Sequence, residues 1–200
     1  GFGNVGFWAS HFMKDNGAVL TAVQDASATL FSKSGIDPQE LRNYALSNGG
    51  NIAGFPNATE ISSEDFFSIK CDICIPAAMG NQITEKNAAK IQATVVAEGA
   101  NGPTDNAGEQ ILLSKGIEII PDILCNSGGV IGSYFEWLQN RNGEIWTMDD
   151  VLVKLEAKIK DAFSRVHRAT SEYSTDWRTA AYIEAIKRIE QAYKHRGVYP

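Results

Sequence analysis

Gly1-Phe2-Gly3-Asn4-Val5-Gly6, followed by Phe7-Trp8-Ala9 and Phe12-Met13, is the stretch whose spacing decides the fold. G-x-G-x-x-G is the spacing of a dinucleotide-binding turn, which joins a buried strand to a helix whose N-terminus faces a pyrophosphate. Gly1 permits the tight turn, Gly3 lets backbone come close to phosphate, and Gly6 lets the helix pack against the sheet. The amides beyond Gly3, beginning with Asn4 and Val5, are first-turn donors with no intrahelical acceptor, and the helix dipole adds positive charge there. The aromatic and apolar residues from Phe7 to Met13 form a stripe at helical spacing, and Asn16-Gly17 supplies the stop. The helix half of the unit is present and the strand that should lead into Gly1 is not. The expectation is the nucleotide half of a larger enzyme.

Working outward, Gly17 to Asp25 (GAVLTAVQD) reads as a strand ending in an acid. Asp25 lies about 20 residues past the glycines, where a carboxylate can accept hydrogen bonds from an adenosine ribose. A glycine-rich loop is the usual false positive of the spacing alone; the helix, the second strand and the terminal acid give it the right context. Asp25 also fits a turn former or a solvated strand end, and both roles stay open at this point.

Helices and strands then alternate, which implies a parallel sheet with crossovers. The expected class is α/β, a Rossmann-like, doubly wound, mostly parallel sheet with C-terminal helices. Asp37-Pro38 starts a helix that Asn48-Gly49-Gly50 ends. A short strand is expected within Asn51 to Phe55, a capped helix at Ser62 to Asp65, and a strand over Cys71 to Pro76. Thr84 starts a short helical stretch. Strands over Thr94 to Ala97 and Ile117 to Ile120 flank a helix over Thr104 to Lys115. Leu152, Leu155, Ile159, Phe163 and Val166 then mark a long amphipathic helix. Ser174-Thr175-Asp176 breaks it and caps another, whose Tyr182, Ile183, Ile186, Ile189 and Tyr193 share one side and are expected in the core. Residues 1–140 form the expected dinucleotide-binding domain, and 141–200 the helices that complete it and brace a neighbouring one. In a 3-2-1-4-5-6 sheet the first strand is central. Without it, two strands lose a ladder partner, and the chain alone is expected to fold poorly.

Composition narrows the function. Of the 200 residues 44% are hydrophobic, ordinary for a globular chain with a core, and the net charge is −6 with no Lys/Arg block. That balance argues against nucleic acid and anionic membrane surfaces as partners. No apolar run reaches the roughly 18 residues that span a bilayer. Cys71, Cys74 and Cys125 are an odd number in a chain too large to need staples, which points to reduced thiols and a cytoplasmic or mitochondrial setting. Cys71 and Cys74 have C-x-x-C spacing, but on a strand residues three apart face opposite ways, so neither a bridge nor a metal site is expected. His11, His167 and His195 fall on separate helices and form no catalytic arrangement. Asn57-Ala58-Thr59 matches a glycosylation acceptor that matters only in a secreted protein.

Ligands of such sheets sit beyond the carboxyl ends of the strands. Three loops lie there. Pro76-Ala77-Ala78-Met79-Gly80-Asn81 leaves room for a flat ring. Ala97 to Thr104 carries Asn101, and Asn126-Ser127-Gly128-Gly129 carries Asn126 at a helix start; an amide side chain suits a carboxamide such as that of nicotinamide. Each of these also fits an ordinary turn or cap.

At these loops the chain resembles the glutamate dehydrogenase family. The matching segments are G-F-G-N-V-G (1–6), C-D-I-C-I-P-A-A (71–78), V-A-E-G-A-N-G-P-T (96–104), P-D-I-L-C-N-S-G-G-V (121–130), S-Y-F-E-W (133–137) and R-T-A-A-Y (178–182). The relatives acting on branched-chain or aromatic amino acids share the G-G-V turn, and Ser133 to Trp137 favours glutamate over them. The resemblance implies oxidative deamination of L-glutamate to 2-oxoglutarate and ammonia, with hydride transfer to NAD or NADP. It implies that Gly1, Gly3, Asn4, Val5 and Gly6 hold the pyrophosphate and Asp25 the adenosine ribose. Ala77 and Ala78 would lie on the adenine side, and Asn101 and Asn126 at the nicotinamide end. Ser133 would donate to the side-chain carboxylate of glutamate across the cleft. The family's catalytic lysine and aspartate belong to a preceding substrate domain, so no acid–base catalyst is expected in this chain, and no metal.

The chain departs from the family at several points. Gln24-Asp25 stands where Ser-Asp is usual, and Gly80 where an acid often precedes Asn81. No Arg or Lys directly follows Asp25 to neutralise a 2′-phosphate, which favours NAD over NADP, although Lys33 is close in sequence. Ala169 to Trp177 runs straight into the last helix, without the long helical antenna of animal members. The family implies a homo-hexamer in the full-length protein. The alternatives are a branched-chain or aromatic amino-acid dehydrogenase, and a nucleotide-binding module without catalysis.

Overall fold

The computed structural model describes residues 1–197, which divide into two compact units at Glu118/Ile119. In the first unit, helix α1 (Asn4–Asp15) begins directly after Gly3 and ends at Asn16, whose side-chain amide donates to the Phe12 carbonyl at 2.8 Å. Strand β1 (Ala22–Gln24) follows and pairs antiparallel with β2 (Thr29–Phe31), Val23 opposite Leu30. Alternation of helix and strand predicts a crossover here, but the four residues Asp25 to Ala28 close a hairpin, with the Asp25 amide bonded to the Ala28 carbonyl at 3.0 Å. Strand β3 (Thr59–Glu60) adds to β2, also antiparallel.

Helix α2 (Pro38–Ser47) has Pro38 at its first position and Asp37 as cap, accepting from the Glu40 amide at 2.8 Å. The strand predicted within 51–55 is a turn. Gly50 and Gly54 bracket it at φ of 88° and 77°, values no strand adopts. Ile52 and Phe55 are nonetheless buried, in a cluster with Val23, Leu30, Ile36 and Leu41. Two apolar residues three apart are buried by a turn as well as by a strand.

The second sheet is parallel. Strand β4 (Ile73–Cys74) pairs with β5 (Val95–Ala97), and β6 (Glu118–Ile120) completes the order β4-β5-β6. Short 3-10 turns at Phe66–Ser68 and Ala88–Lys90 stand where short helices were expected. Helix α3 (Asn106–Ser114) crosses from β5 to β6, capped by Asp105. The apolar run predicts a strand from Cys71 to Pro76, yet only two residues pair. Among the described residues one edge of β4 has no partner strand.

That edge lines a cavity of about 470 Å3. Ala18 to Gln24, which includes β1, lines one side, and Ile69 to Ile75, which includes β4, lines the other; Ala9, Ser10 and Met13 of α1 also contribute. Both β1 and β4 end their sheets. The cavity therefore carries two open strand edges, a template for one extended segment. Cys71 and Cys74 both belong to the segment that borders this cavity, but only Cys74 is in the strand. None of the three cysteines forms a disulfide, and the described residues contain no cluster of metal-ligating side chains.

The second unit is helical. Helix α4 (Asp122–Cys125) is one turn long and α5 (Ser127–Asn142) ends at Gly143, φ 66°. Helix α6 (Met148–Tyr173) opens with a reciprocal cap between Thr147 and Asp150. Ser174, at φ 50°, breaks the chain before Asp176 caps α7 (Trp177–Arg196). Leu124, Val166, Ala169, Ala180 and Ala181 form the buried seam. The apolar positions predicted as core on α7 are instead mostly exposed: Tyr182, Ile186, Ile189 and Tyr193 are each more than half accessible. The small side chains of Ala169, Ala180 and Ala181 take the interior, and the large apolar stripe lies to one side of it. Among the described residues no helix is long and apolar enough to cross a membrane.

Candidate dinucleotide site

The three glycines of the opening turn have different surroundings. A Cβ on Gly1 would stand 2.8 Å from the Ala77 carbonyl oxygen and the Ala78 Cα, so its bare backbone is what lets the loop after β4 lie against it. A Cβ on Gly6 would stand 2.0 Å from the Gly1 carbonyl oxygen. The close approach at Gly6 is thus within the turn itself rather than against the sheet. A Cβ on Gly3 would meet nothing within 4 Å, and its φ of −80° suits any residue. The fold does not require glycine at position 3; open space in front of it is what the missing side chain preserves.

That space lies at the start of α1. Helices α2, α3, α6 and α7 are each capped by a side chain, whereas Gly3 can offer none, and the first turn of α1 holds no acid. The first backbone bond of the helix runs from the Phe7 amide to the Gly3 carbonyl, 2.9 Å, which leaves the amides of Asn4, Val5 and Gly6 before it. Backbone donors, a helix dipole and an absence of negative charge suit a pyrophosphate. The residues present fit the dinucleotide that the motif implies.

Two strand-end loops converge on this turn. Gly99 sits so close that its Cβ would be 3.2 Å from Val5 Cγ1 and 3.4 Å from the Ala77 side chain. The Ala100 amide donates to the Pro76 carbonyl at 2.9 Å, and the Asn81 amide to the Gly102 carbonyl at 2.9 Å, which zips the loops after β4 and β5 together. Gly1 to Gly6, Ala77, Ala78 and the exposed Asn101 are thereby on neighbouring strand ends of one unit. The predicted set omits Gly99; its only sequence signal is that it lies in the same E-G-A-N loop as Asn101. Glu98, fully buried beside it, carries no signal at all in the sequence.

Of the roles left open for Asp25, the turn-forming one is realised. Its Oδ1 accepts from the Ser27 amide at 2.7 Å, the Ser27 hydroxyl at 2.7 Å and the Ala28 amide at 3.1 Å, which makes it the hairpin turn former. Oδ2 is left available for a ligand. Lys33 lies beyond Phe31, at the end of the hairpin away from Asp25. No lysine or arginine occurs between Asp25 and Lys33.

The cavity between β1 and β4 borders this site on the glycine side. Gly1 and Gly6 touch it, but Asp25, Ala77, Ala78 and Asn101 do not line it. Burial drives the Cys74 thiol facing it up to about 12, and pushes Cys71 up as well, so both thiols stay protonated at neutral pH.

In the second unit, Asn126 is the junction between α4 and α5, its amide bonded to the Asp122 carbonyl at 3.0 Å. Ser133 lies seven residues on, two helical turns, and so on the same side of α5. It is exposed, and its hydroxyl donates to the Gly129 carbonyl at 3.2 Å. Asp122 and Arg178 form an ion pair at 3.1 Å that ties α4 to α7.

The family model of the Glutamate/Leucine/Phenylalanine/Valine dehydrogenases matches residues 1–197. The chain belongs to this family. It is 41% identical over 201 residues to the glutamate dehydrogenase of Thermotoga maritima, covering 100% of this chain and 48% of that protein. It is 40% identical over 199 residues to the NAD-specific glutamate dehydrogenase of Staphylococcus aureus, covering 98% and 47%. Among solved structures, the hetero-hexameric glutamate dehydrogenase of Thermus thermophilus, in a Leu-bound form, superposes with a TM-score of 0.90 at 28% identity, covering 100% of this chain and 47% of that one. The glutamate dehydrogenase of Peptoniphilus asaccharolyticus gives 0.84 at 37%, covering 100% and 46%. The chain spans about half the length of the curated relatives it matches. Its α/β class, with a parallel sheet and C-terminal helices, is that of these dehydrogenase domains.

Proposed function

We propose that this chain is the coenzyme-binding domain of an NAD-dependent glutamate dehydrogenase. In this role the α1 N-terminus, with Gly1, Gly3, Asn4, Val5 and Gly6, receives the pyrophosphate. Asp25 Oδ2 accepts from the adenosine ribose, Ala77 and Ala78 flank the adenine, and Asn101 and Asn126 orient the carboxamide end. When bound, the nicotinamide ring supplies the hydride acceptor. Ser133 turns its hydroxyl from the Gly129 carbonyl to the side-chain carboxylate of L-glutamate. A substrate without that carboxylate leaves the hydroxyl unpaired, which is the basis of discrimination against leucine and phenylalanine. The substrate α-carbon loses hydride, and water then hydrolyses the resulting iminium to 2-oxoglutarate and ammonia. The chain contributes orientation, not an acid–base group.

The observation that carries this proposal is the uncapped start of α1 behind a glycine that the fold itself does not need. That no Lys or Arg lies between Asp25 and Lys33 favours NAD over NADP, and the NAD-specific relative supports the same choice. A homo-hexamer in the cytoplasm completes the proposal; the hetero-hexameric Thermus relative supports assembly into six subunits, not their identity. Steady-state turnover of glutamate, leucine and phenylalanine by the intact protein, with each coenzyme, tests it. Preference for glutamate with NAD is expected. Preference for leucine or phenylalanine would move the chain elsewhere in the family, and no turnover at all would leave a nucleotide-binding module.

A further inference from the structure

The Ser27 side chain ties the hairpin turn that carries Asp25 to a neighbouring segment. The Ser27 hydroxyl donates to Asp25 Oδ1 at 2.7 Å and accepts from the Ile52 amide at 3.0 Å and the Ala53 amide at 3.3 Å. The segment it grips is itself fixed. Ile52 is almost wholly buried, and the Ala53 carbonyl accepts from the Tyr44 hydroxyl at 2.8 Å and the Asn48 side chain at 3.2 Å. Ser27 thus links a surface carboxylate to the core of the first unit through a single oxygen.

The link sets which carboxylate oxygen is free. Oδ1 already has three donors, two of them from Ser27, so a fourth partner must approach Oδ2. Without the hydroxyl, the backbone amides of Ser27 and Ala28 still reach the carboxylate, but the hydrogen bonds from Ile52 and Ala53 are lost and only the packing of Ala28 against the core holds the turn there. The carboxylate then swings with the hairpin tip. A diol gains from an acceptor held in one place, because the ordering is already complete before binding. A phosphate on the same ribose is repelled by a fixed anion and less by one that can turn away.

We propose that Ser27 is a specificity-determining positioning residue, one that fixes the Asp25 carboxylate so that the site accepts an unphosphorylated adenosine ribose and rejects a 2′-phosphate. This rests on the assignment of Asp25 to the ribose made above.

The test is equilibrium binding of NADH and NADPH to the intact protein, read by nucleotide fluorescence, with thermal melting alongside. Ser27→Ala is expected to reduce the NADH over NADPH preference by about tenfold, a difference of ~1.4 kcal/mol, while Ser27→Thr, which keeps the hydroxyl, retains the wild-type ratio. Ser27→Cys, near in size and weak as a hydrogen-bonding group, serves in place of the alanine variant if that one does not fold. A lower melting temperature with an unchanged ratio would make Ser27 a structural residue only and overturn the proposal. Asp25→Ala separates the two levels. If it abolishes the preference while the Ser27 variants leave it intact, the clamp is wrong and the ribose contact stands. If Asp25→Ala also leaves the preference intact, the ribose assignment itself fails.

Discussion

Gly6 and Cys74 show how the surroundings of one residue translate into a measurement. An alanine at position 6 would put its Cβ 2.0 Å from the Gly1 carbonyl oxygen, a backbone atom that cannot yield without opening the turn. Gly6→Ala is expected to destabilise the protein by about 1–3 kcal/mol, read as a lower melting temperature; an unchanged melt would mean that the turn has more slack than this geometry allows. Cys74, with its thiol pushed up to about 12 by burial, is expected to resist alkylation at pH 8 in the folded state and to react once unfolded. Equal rates in both states would contradict its placement. The crowding at Gly1 and Gly6 was legible because a glycine at that spacing has a known mechanical cause. Ser27 and Gly99 were not. A serine in a turn and a glycine in a loop are ordinary in sequence, and only their neighbours from residues 52–53 and from Val5 and Ala77 give them meaning.

Asp176 sets the start of α7 and carries a prediction at the level of the element. It accepts from the Thr179 amide at 2.8 Å and the Thr179 hydroxyl at 2.7 Å. Burial alone would raise its carboxyl, but these hydrogen bonds outweigh it and hold the group below its ordinary 3.8. A carboxyl lowered in the folded state stabilises above the ordinary value, and that contribution disappears as the pH falls through the lowered one. Asp176→Ala is expected to cost about 1 kcal/mol at neutral pH. The difference from wild type should shrink in acid melts below that range; a constant difference would refute the role of the charge. Caps such as Asp37, Asp105 and Asp176 made helix starts readable to within a residue or two. The strands were less readable because each is only two or three residues long, set by pairing rather than by pattern. The stripe on α7 predicts an apolar face, yet alanines form the seam, since periodicity identifies a face and not what covers it.

For the whole molecule, the open edges of β1 and β4 make the strongest claim about folding. The residues around them line a cavity of about 470 Å3. Joining an apolar strand of about five residues ahead of Gly1 is expected to raise the melting temperature of the 200-residue chain and to protect the amides of residues 22–24 and 73–74 from hydrogen exchange. No gain in protection there would show that the two sheets are complete as they stand. The fold class was legible at this scale because the helix, the strand-end loops and the family's segments agree in order. The β1–β2 hairpin was not, because its turn consists of residues that also fit a strand end.

The central claim is that the start of α1 receives a pyrophosphate, and Gly3 tests it most directly because nothing in the fold demands a glycine there. The measurement is NADH affinity, by fluorescence titration, of the intact protein and its Gly3→Ala variant, with melting curves for both. Matching melts with at least about a tenfold loss of affinity is the predicted result; matching melts with matching affinity would contradict it.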